Sequence, residues 1–139
     1  LLRLGVSQIS AGSRTNPGGY TGKHASKQFS VRDNRSLGEV VGDITRLGFI
    51  PSFCTACYRV GRTGESFMEL AKPGDIQNFC LPNALLTFKE YALDYCPAGS
   101  REITDIVNRE AKAITDPVTK KATLNKLKQL ENGKRDLFF

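Results

Sequence analysis

The chain lacks the features that mark a membrane-spanning or exported protein. No apolar run in its 139 residues approaches the ~18 residues that a membrane-spanning helix needs. The first residues also lack the basic and apolar regions of a secretory signal. We therefore exclude a membrane-spanning protein, and we expect no membrane partner.

Histidine is scarce in the sequence, and an initiator methionine is absent. His24 is the only histidine, and it lies in a predicted loop. A single loop histidine is typically solvated, so we do not assign it as a metal ligand. The sequence also lacks an initiator methionine and begins inside an apolar segment at Leu1-Leu2-Arg3-Leu4. We interpret the chain as a part of a longer protein.

The overall composition is typical of a folded domain. Apolar residues make up 40% of the chain and charged residues 24%, and the length allows one domain with a core. The net charge is +6. Many basic residues lie near the C-terminus on predicted helices, mixed with acidic residues and without aromatic residues between them. Because nucleic-acid interfaces combine basic stripes with aromatics, we interpret this region as a solvated helix face and exclude a nucleic-acid partner.

The first third of the chain has α/β character. Leu4–Ser10 predicts a short strand, and a loop rich in glycine and hydroxyl residues follows it. Ser36 and Glu39 have the spacing of a capping box, and the helix that they begin is predicted to end before Gly48. A second short extended segment, 49–53, leads to the cysteines. The order strand, loop, helix, strand is typical of the end of an α/β barrel or sheet.

The pattern becomes helical after the cysteine pair. Breaks at proline and glycine separate four predicted helices, over 65–71, from Pro82 to 95, from Ser100 to 115, and from Pro117 to Gly133, and a further helical turn is predicted over 75–80. Asp116 is the predicted N-cap of the last helix, with Pro117 at its first position. The second of these helices has a predicted apolar stripe made of Leu85, Leu86, Phe88, Tyr91, Ala92 and Tyr95.

The four cysteines carry the strongest chemical signal. Their even number is compatible with disulfides, but disulfide-dense scaffolds are usually exported and this chain has no export signal. A Cys-x2-Cys pair in a reducing compartment more often binds metal or does redox chemistry. We therefore predict a cytoplasmic protein in which Cys54 and Cys57, separated by two residues, face one metal centre.

Cys80 is the predicted third ligand of that centre. Three thiolates suit an iron–sulfur cluster with one iron open, whereas four suit zinc or a closed cluster. Cys96 lies 16 positions after Cys80, across a predicted helix about 18 Å long, so we leave it out of the site. The spacing alone does not choose iron over zinc. A structural role for the cysteines as small apolar residues is the remaining alternative.

A second candidate site lies in the loop after the first predicted strand. Parallel barrels carry their active sites at the end where such loops lie. Arg14 can hold a carboxylate by a bidentate contact, and Ser13 and Thr15 can add hydroxyl donors. The alternative is a hydroxyl-rich surface loop.

Four stretches of the chain resemble one family. The chain resembles the tyrosine-cleaving radical S-adenosylmethionine (SAM) enzymes, and specifically the C-terminal part of the maturases that build the active site of iron–iron hydrogenase. The related thiamine-pathway tyrosine lyase, 2-iminoacetate synthase, shares the barrel but is not expected to share the cysteine trio. The resemblance covers nearly the whole chain and is carried by residues 9–20, 50–72, 78–91 and 133–139.

The resemblance implies a fold and a set of site residues. It implies a (β/α)8 barrel followed by a mostly helical extension, with residues 1–48 as the last strand and helix region of the barrel and 49–139 as the extension. By position, the extension would hold an auxiliary 4Fe–4S cluster with an extra iron, and the loop at the barrel end would meet L-tyrosine. The cluster ligands would be Cys54, Cys57 and Cys80, and the substrate-binding residues Ser13, Arg14 and Thr15.

The resemblance also implies a reaction. In this family a second 4Fe–4S cluster, bound by an N-terminal Cys-x3-Cys-x2-Cys motif, cleaves SAM, and the radical splits tyrosine into p-cresol and dehydroglycine. Dehydroglycine becomes carbon monoxide and cyanide, which pass to hydrogenase-maturation proteins. This chain lacks that motif, so we expect no activity from it alone and assign no catalytic residue. The alternatives are a 2-iminoacetate synthase fragment and a non-catalytic zinc-binding module that uses all four cysteines.

Overall fold

The computed structural model describes residues 1–14, 20, 33, 35–96 and 100–139. The chain divides into two compact units, Leu1–Phe49 and Ile50–Phe139. Within the described residues every regular element is a helix. None of these helices is long and apolar enough to cross a membrane.

The first unit contains a short 3-10 helix, Leu2–Leu4, and one α-helix, α1, Leu37–Arg46. The predicted capping box is confirmed. The Ser36 N–H donates to Glu39 Oε2 at 2.7 Å, and the Glu39 N–H donates to Ser36 Oγ at 3.3 Å. Gly48 follows α1 with a φ of 85°, a left-handed conformation that favours glycine, and so ends the helix as predicted.

The two predicted extended segments do not form strands. Leu4–Ser10 begins in the 3-10 turn, which Gly5 closes with a φ of 98°, and continues as irregular backbone. Residues 49–53 are also irregular. A strand is defined by a hydrogen-bonded ladder with a neighbour, and the described residues contain no second segment paired with either one. The prediction of barrel strands is therefore wrong for this part of the chain.

The second unit is built on a three-helix bundle. After two short helices, α2 and α3, the long helix α4 packs against α5 and α6, and those two pack against each other. Short connections favour antiparallel neighbours in such bundles. The bounds are α2, Ala56–Arg59; α3, Gly64–Ala71; α4, Gln77–Tyr95; α5, Ser100–Ala113; and α6, Pro117–Glu131.

The core of the bundle matches the predicted apolar stripe of α4 in part. Leu85, Leu86, Phe88 and Ala92 are fully buried. Tyr95, predicted in the same stripe, is 78% exposed at the end of the helix. The partners of these residues on α5 and α6 are also buried, and they include Ile103, Val107, Ala111, Leu127 and Leu130.

Helix α4 begins one turn earlier than predicted. We expected it to start at Pro82, but that residue lies inside it. The Asn78 and Phe79 N–H groups each donate to the carbonyl three residues earlier at 3.0 Å, so a tight turn leads directly into the helix. Pro82 removes one helical hydrogen bond without breaking α4. As a result Cys80 and the bundle core lie on the same element.

One lysine is buried in the bundle. Lys89 on α4 is 4% exposed. Its ammonium donates to Thr104 Oγ1 of α5 at 2.8 Å and lies 3.0 Å from Glu131 Oε1 of α6. A buried charge is costly unless it is paired, so this lysine links all three helices and depends on both partners.

The two ends of α6 are set by its sequence. The Thr119 N–H donates to the Asp116 carboxylate at 2.6 Å, which confirms Asp116 as the N-cap. At the other end, the Gly133 and Lys134 N–H groups donate back to the Leu130 and Gln129 carbonyls, both at 3.0 Å. This Schellman pattern, with Gly133 at a φ of 88°, ends the helix. The segment 134–139, which we call the tail, then contacts α2 and α4.

Substitutions of the buried lysine and of its charge partner should have different effects on stability. Glu131→Gln removes the charge partner of Lys89 and should lower the free energy of unfolding by about 1–3 kcal/mol. Lys89→Met removes the buried charge itself and should be neutral or stabilising. Urea denaturation of both variants checks this. A Lys89→Met variant less stable than Glu131→Gln would contradict the interpretation.

The Asp116 cap predicts a pH-dependent contribution to stability. The hydrogen bonds from Thr119 hold the pKa of Asp116 below its usual range. A carboxyl with a lowered folded-state pKa stabilises the fold above its unfolded value of about 3.9, and that stabilisation is lost as the pH falls through the folded value. Asp116→Ala should therefore lower Tm at neutral pH, and the difference from the wild type should shrink in acid.

Thermal unfolding at several pH values measures this difference. Asp105→Ala is the matched control, because Asp105 is exposed in the middle of α5 and caps no helix end. A difference between wild type and Asp116→Ala that stays constant down to about pH 2 would show that the carboxylate does not act as the cap.

Candidate metal centre

The segment that leads to Cys54 is fixed to α4. The Phe53 N–H donates to Thr87 Oγ1 at 3.2 Å, and the Phe53 ring stacks on Tyr91 with 4.9 Å between ring centroids. The Ala56 N–H donates to Cys54 Sγ at 3.4 Å. Such an N–H to sulfur contact stabilises a thiolate, and hydrogen bonds to ligand sulfurs tune metal centres.

Cys57 lies in α2, one turn that is anchored by a buried alanine. Ala56 is 3% exposed, so it fixes α2 in the unit. The Cys57 carbonyl accepts a hydrogen bond from the Arg62 N–H at 2.8 Å, which closes the turn after α2. Cys80 arrives from the first turn of α4. The three predicted ligands are therefore supplied by three segments of the second unit.

The other two cysteines act on the titration of Cys80. Desolvation raises the pKa of Cys80, and the negative charges of Cys57 and Cys54 raise it further. The Arg62 guanidinium acts in the opposite direction. Both thiols and this cation therefore belong to the electrostatic surroundings of Cys80.

The donor chemistry of the trio suits an iron–sulfur cluster. Such clusters are held by cysteine thiolates, and three thiolates leave one iron open. Within the described ranges, no three cysteine, histidine, aspartate or glutamate side chains are gathered closely enough to hold one metal ion. Cys54, Cys57 and Cys80 would be the residues that hold a cluster.

Cys96 lies away from the trio. It is the C-cap of α4, whereas Cys80 is near the start of that helix, and 16 residues of helix extend about 24 Å. Its charge acts on Tyr91, whose pKa is raised first by burial and then by Cys96. The structure thus places Cys96 at the other end of α4 from Cys80.

Sequence reasoning missed the arginine that faces the trio. The Arg62 guanidinium lies over the Phe79 ring, 4.6 Å from its centroid, and it donates a hydrogen bond to the Phe139 carbonyl. Arg59, one turn earlier, lies 4.4 Å from the centroid of Phe138. The signal in the sequence was two arginines directly after Cys-x2-Cys, but their aromatic and carbonyl partners lie far along the chain.

The second predicted site is described only in part. Ser13 and Arg14 are exposed in irregular backbone of the first unit, and the Arg14 N–H donates to the Tyr20 hydroxyl at 3.0 Å. Thr15 lies outside the described residues. The role of this loop in substrate binding stays a prediction.

Comparisons with known proteins relate the chain to a solved structure. No family model matches the chain, and no curated protein matches it. Among solved structures the chain is similar to one described as the crystal structure of HydG, a maturase of the FeFe hydrogenase. The two share 45% sequence identity over 99% of this chain, with a TM-score of 0.88. The chain spans about 30% of the length of that structure.

Proposed function

Because the chain belongs to the family of the FeFe-hydrogenase maturase HydG and corresponds to a C-terminal part of it, we propose that it carries the auxiliary iron–sulfur cluster of such a maturase. The observation that supports this most directly is the 45% sequence identity with the HydG structure over 99% of this chain. The charges of Cys57 and Cys54 also act on Cys80. A donor set of three thiolates, in a chain with this relative, favours a cluster.

The proposed ligands are Cys54, Cys57 and Cys80. Three thiolates leave one iron of a 4Fe–4S cluster without a cysteine, and that iron is free to take a small ligand. These residues would hold the cluster and its extra iron, and the bound group would supply the iron chemistry for making carbon monoxide and cyanide. The residues of this chain hold the thiolates in place, and the Arg62 guanidinium offsets their negative charge.

The proposal for the whole protein extends beyond this chain. The full-length maturase would be a radical SAM carbon–carbon lyase with SAM and a second 4Fe–4S cluster in its barrel. It would cleave L-tyrosine and pass its products to other hydrogenase-maturation proteins. Arg14 would bind the tyrosine carboxylate through its guanidinium, with Ser13 and Thr15 beside it.

Cysteine substitutions test the cluster assignment. After anaerobic reconstitution with iron and sulfide, the wild type should be brown and hold about four irons per chain at this site. Cys54→Ser, Cys57→Ser and Cys80→Ser should each lose most of this iron, because a lost thiolate leaves the cluster with two cysteine ligands. Iron and sulfide analysis with electron paramagnetic resonance measures the loss.

Cys96→Ser is the matched control and should keep the cluster. Loss of iron in that variant would contradict the three-ligand assignment. A colourless protein that holds about one zinc per chain and loses it in all four variants would instead identify a four-cysteine zinc module.

A product measurement distinguishes the maturase from the related thiamine-pathway enzyme. The full-length protein, supplied with L-tyrosine, SAM and reductant, should release p-cresol together with carbon monoxide and cyanide. The Cys57→Ser variant should still release p-cresol but not the two diatomic products, because tyrosine cleavage uses the other cluster. If the wild type released only p-cresol and dehydroglycine-derived products, a 2-iminoacetate synthase would be the better assignment.

A further inference from the structure

Arg62 connects the segments that supply two of the three thiolates. Its backbone N–H donates to the Cys57 carbonyl at 2.8 Å. Its guanidinium lies over the ring of Phe79, the residue directly before Cys80. One residue therefore links the turn after Cys57, through its backbone, to the first turn of α4, where Cys80 lies, through its side chain.

The far side of the guanidinium is held by the tail. An N–H of the Arg62 guanidinium donates to the Phe139 carbonyl. Phe139 is itself fixed on α4, because its N–H donates to Asn83 Oδ1 at 2.8 Å and its carbonyl accepts from Asn83 Nδ2 at 3.5 Å. Asn83 is 2% exposed and lies three residues after Cys80. The anchor of the tail is therefore within one turn of the third thiol.

Arg62 takes this position at a cost. Its Nε is buried and has no hydrogen-bond partner in the described part of the chain. A buried donor without a partner is unfavourable and calls for an explanation. The contacts with Phe79 and Phe139 fix the guanidinium plane in the orientation that leaves Nε unsatisfied, so the fold favours the orientation of the side chain over its full hydrogen bonding.

A second arginine strengthens the same connection. Arg59 of α2 pairs with Asp136 and lies over the Phe138 ring. The Asp136 N–H in turn donates to Glu90 Oε2 of α4 at 3.0 Å. The tail is thus a strap between the arginines that follow the Cys-x2-Cys pair and the helix that carries Cys80.

We propose that Arg62, clamped between Phe79 and the tail, is a positioning residue that sets the separation of Cys57 and Cys80. This inference rests on the proposed function, because the separation matters for a cluster that both residues ligate. Arg62 is not a ligand. Its planar guanidinium makes a stacking contact and a directed hydrogen bond at the same time, which a lysine cannot reproduce.

Thiol crosslinking in the metal-free, full-length protein tests the proposal without the cluster. Dibromobimane bridges neighbouring thiols, and mass spectrometry of peptides identifies each pair. Arg62→Gln should lower the rate of Cys57–Cys80 crosslinking by about tenfold, the effect expected from losing a charge-assisted hydrogen bond. The Cys54–Cys57 pair is local to one turn and should crosslink at the wild-type rate, so it serves as the internal reference.

Two further variants make the outcome specific. Arg62→Lys should lose as much Cys57–Cys80 crosslinking as Arg62→Gln. If Arg62→Lys crosslinked at the wild-type rate, the positive charge alone would explain the effect of Arg62, and the proposal would be overturned. Arg109→Gln removes an exposed arginine that pairs with Glu110 on α5, and it should change nothing. An equal loss in Arg109→Gln would mean that any arginine has this effect, which also overturns the proposal.

A milder variant covers the case in which Arg62→Gln fails to fold by circular dichroism. Phe79→Leu keeps an apolar side chain on α4 but removes the ring under Arg62, and it should lower Cys57–Cys80 crosslinking by about threefold. Unchanged crosslinking in folded Phe79→Leu would overturn the proposal.

In cluster-loaded protein, Arg62→Gln should also release its iron to a chelator faster. If the wild type takes up no auxiliary cluster, the proposed function fails, and the crosslinking result still decides the role of Arg62.

Discussion

The packing of α4 against α5 and α6 is the constraint on which the rest of the second unit depends. One face of α4 contributes fully buried residues such as Leu85 and Phe88 to the core, so the helix cannot shift without opening the bundle. The same helix presents Cys80, Thr87 and Tyr91 to the segments that carry the other two thiols. The stability of the bundle and the geometry of the candidate metal centre are therefore properties of one element.

Basic and aromatic side chains form the second layer of this architecture. In the part of the chain that the structure describes, three cations lie over aromatic rings. Two of these pairs involve the tail: Arg59 with Phe138 and Lys126 with Phe139. Partial burial lowers the pKa of Lys126, whose side chain is half-buried. The interpretation of the C-terminal basic residues as a solvated helix face is thus wrong for Lys126, which is part of the attachment of the tail.

The features that the sequence predicted well are local ones. The capping box at Ser36 and the Asp116-Pro117 start of α6 depend on residues within four positions of each other, and both are present in the structure. The turn over 75–80 was predicted as separate from α4 because proline is a strong local signal, but backbone hydrogen bonds continue this turn into the helix. The strand at 4–10 was predicted from alternation, but a strand also needs a partner that a local pattern does not reveal.

The candidate site also combines features with a local sequence signal and features that depend on the fold. The spacing of Cys54 and Cys57 is a local signal for the predicted site, whereas the placement of Cys80 on α4 depends on the fold. The contacts of Arg62 with Phe79 and Phe139 could not be predicted, because they depend on how α4 and the tail are placed around α2. Aromatic and basic residues near a cysteine pair are common in proteins, so the sequence alone did not distinguish these from surface residues.

The long reach of the tail contacts has a consequence for biosynthesis. Arg59 and Arg62 each meet a partner 77 positions further along the chain. The entropy cost of closing so large a loop is lower once α4, α5 and α6 are folded, because they fill the sequence between the two ends. All three cysteines of the trio leave the ribosome well before residues 136–139 do. The contacts of the tail therefore form only after the trio has been synthesised.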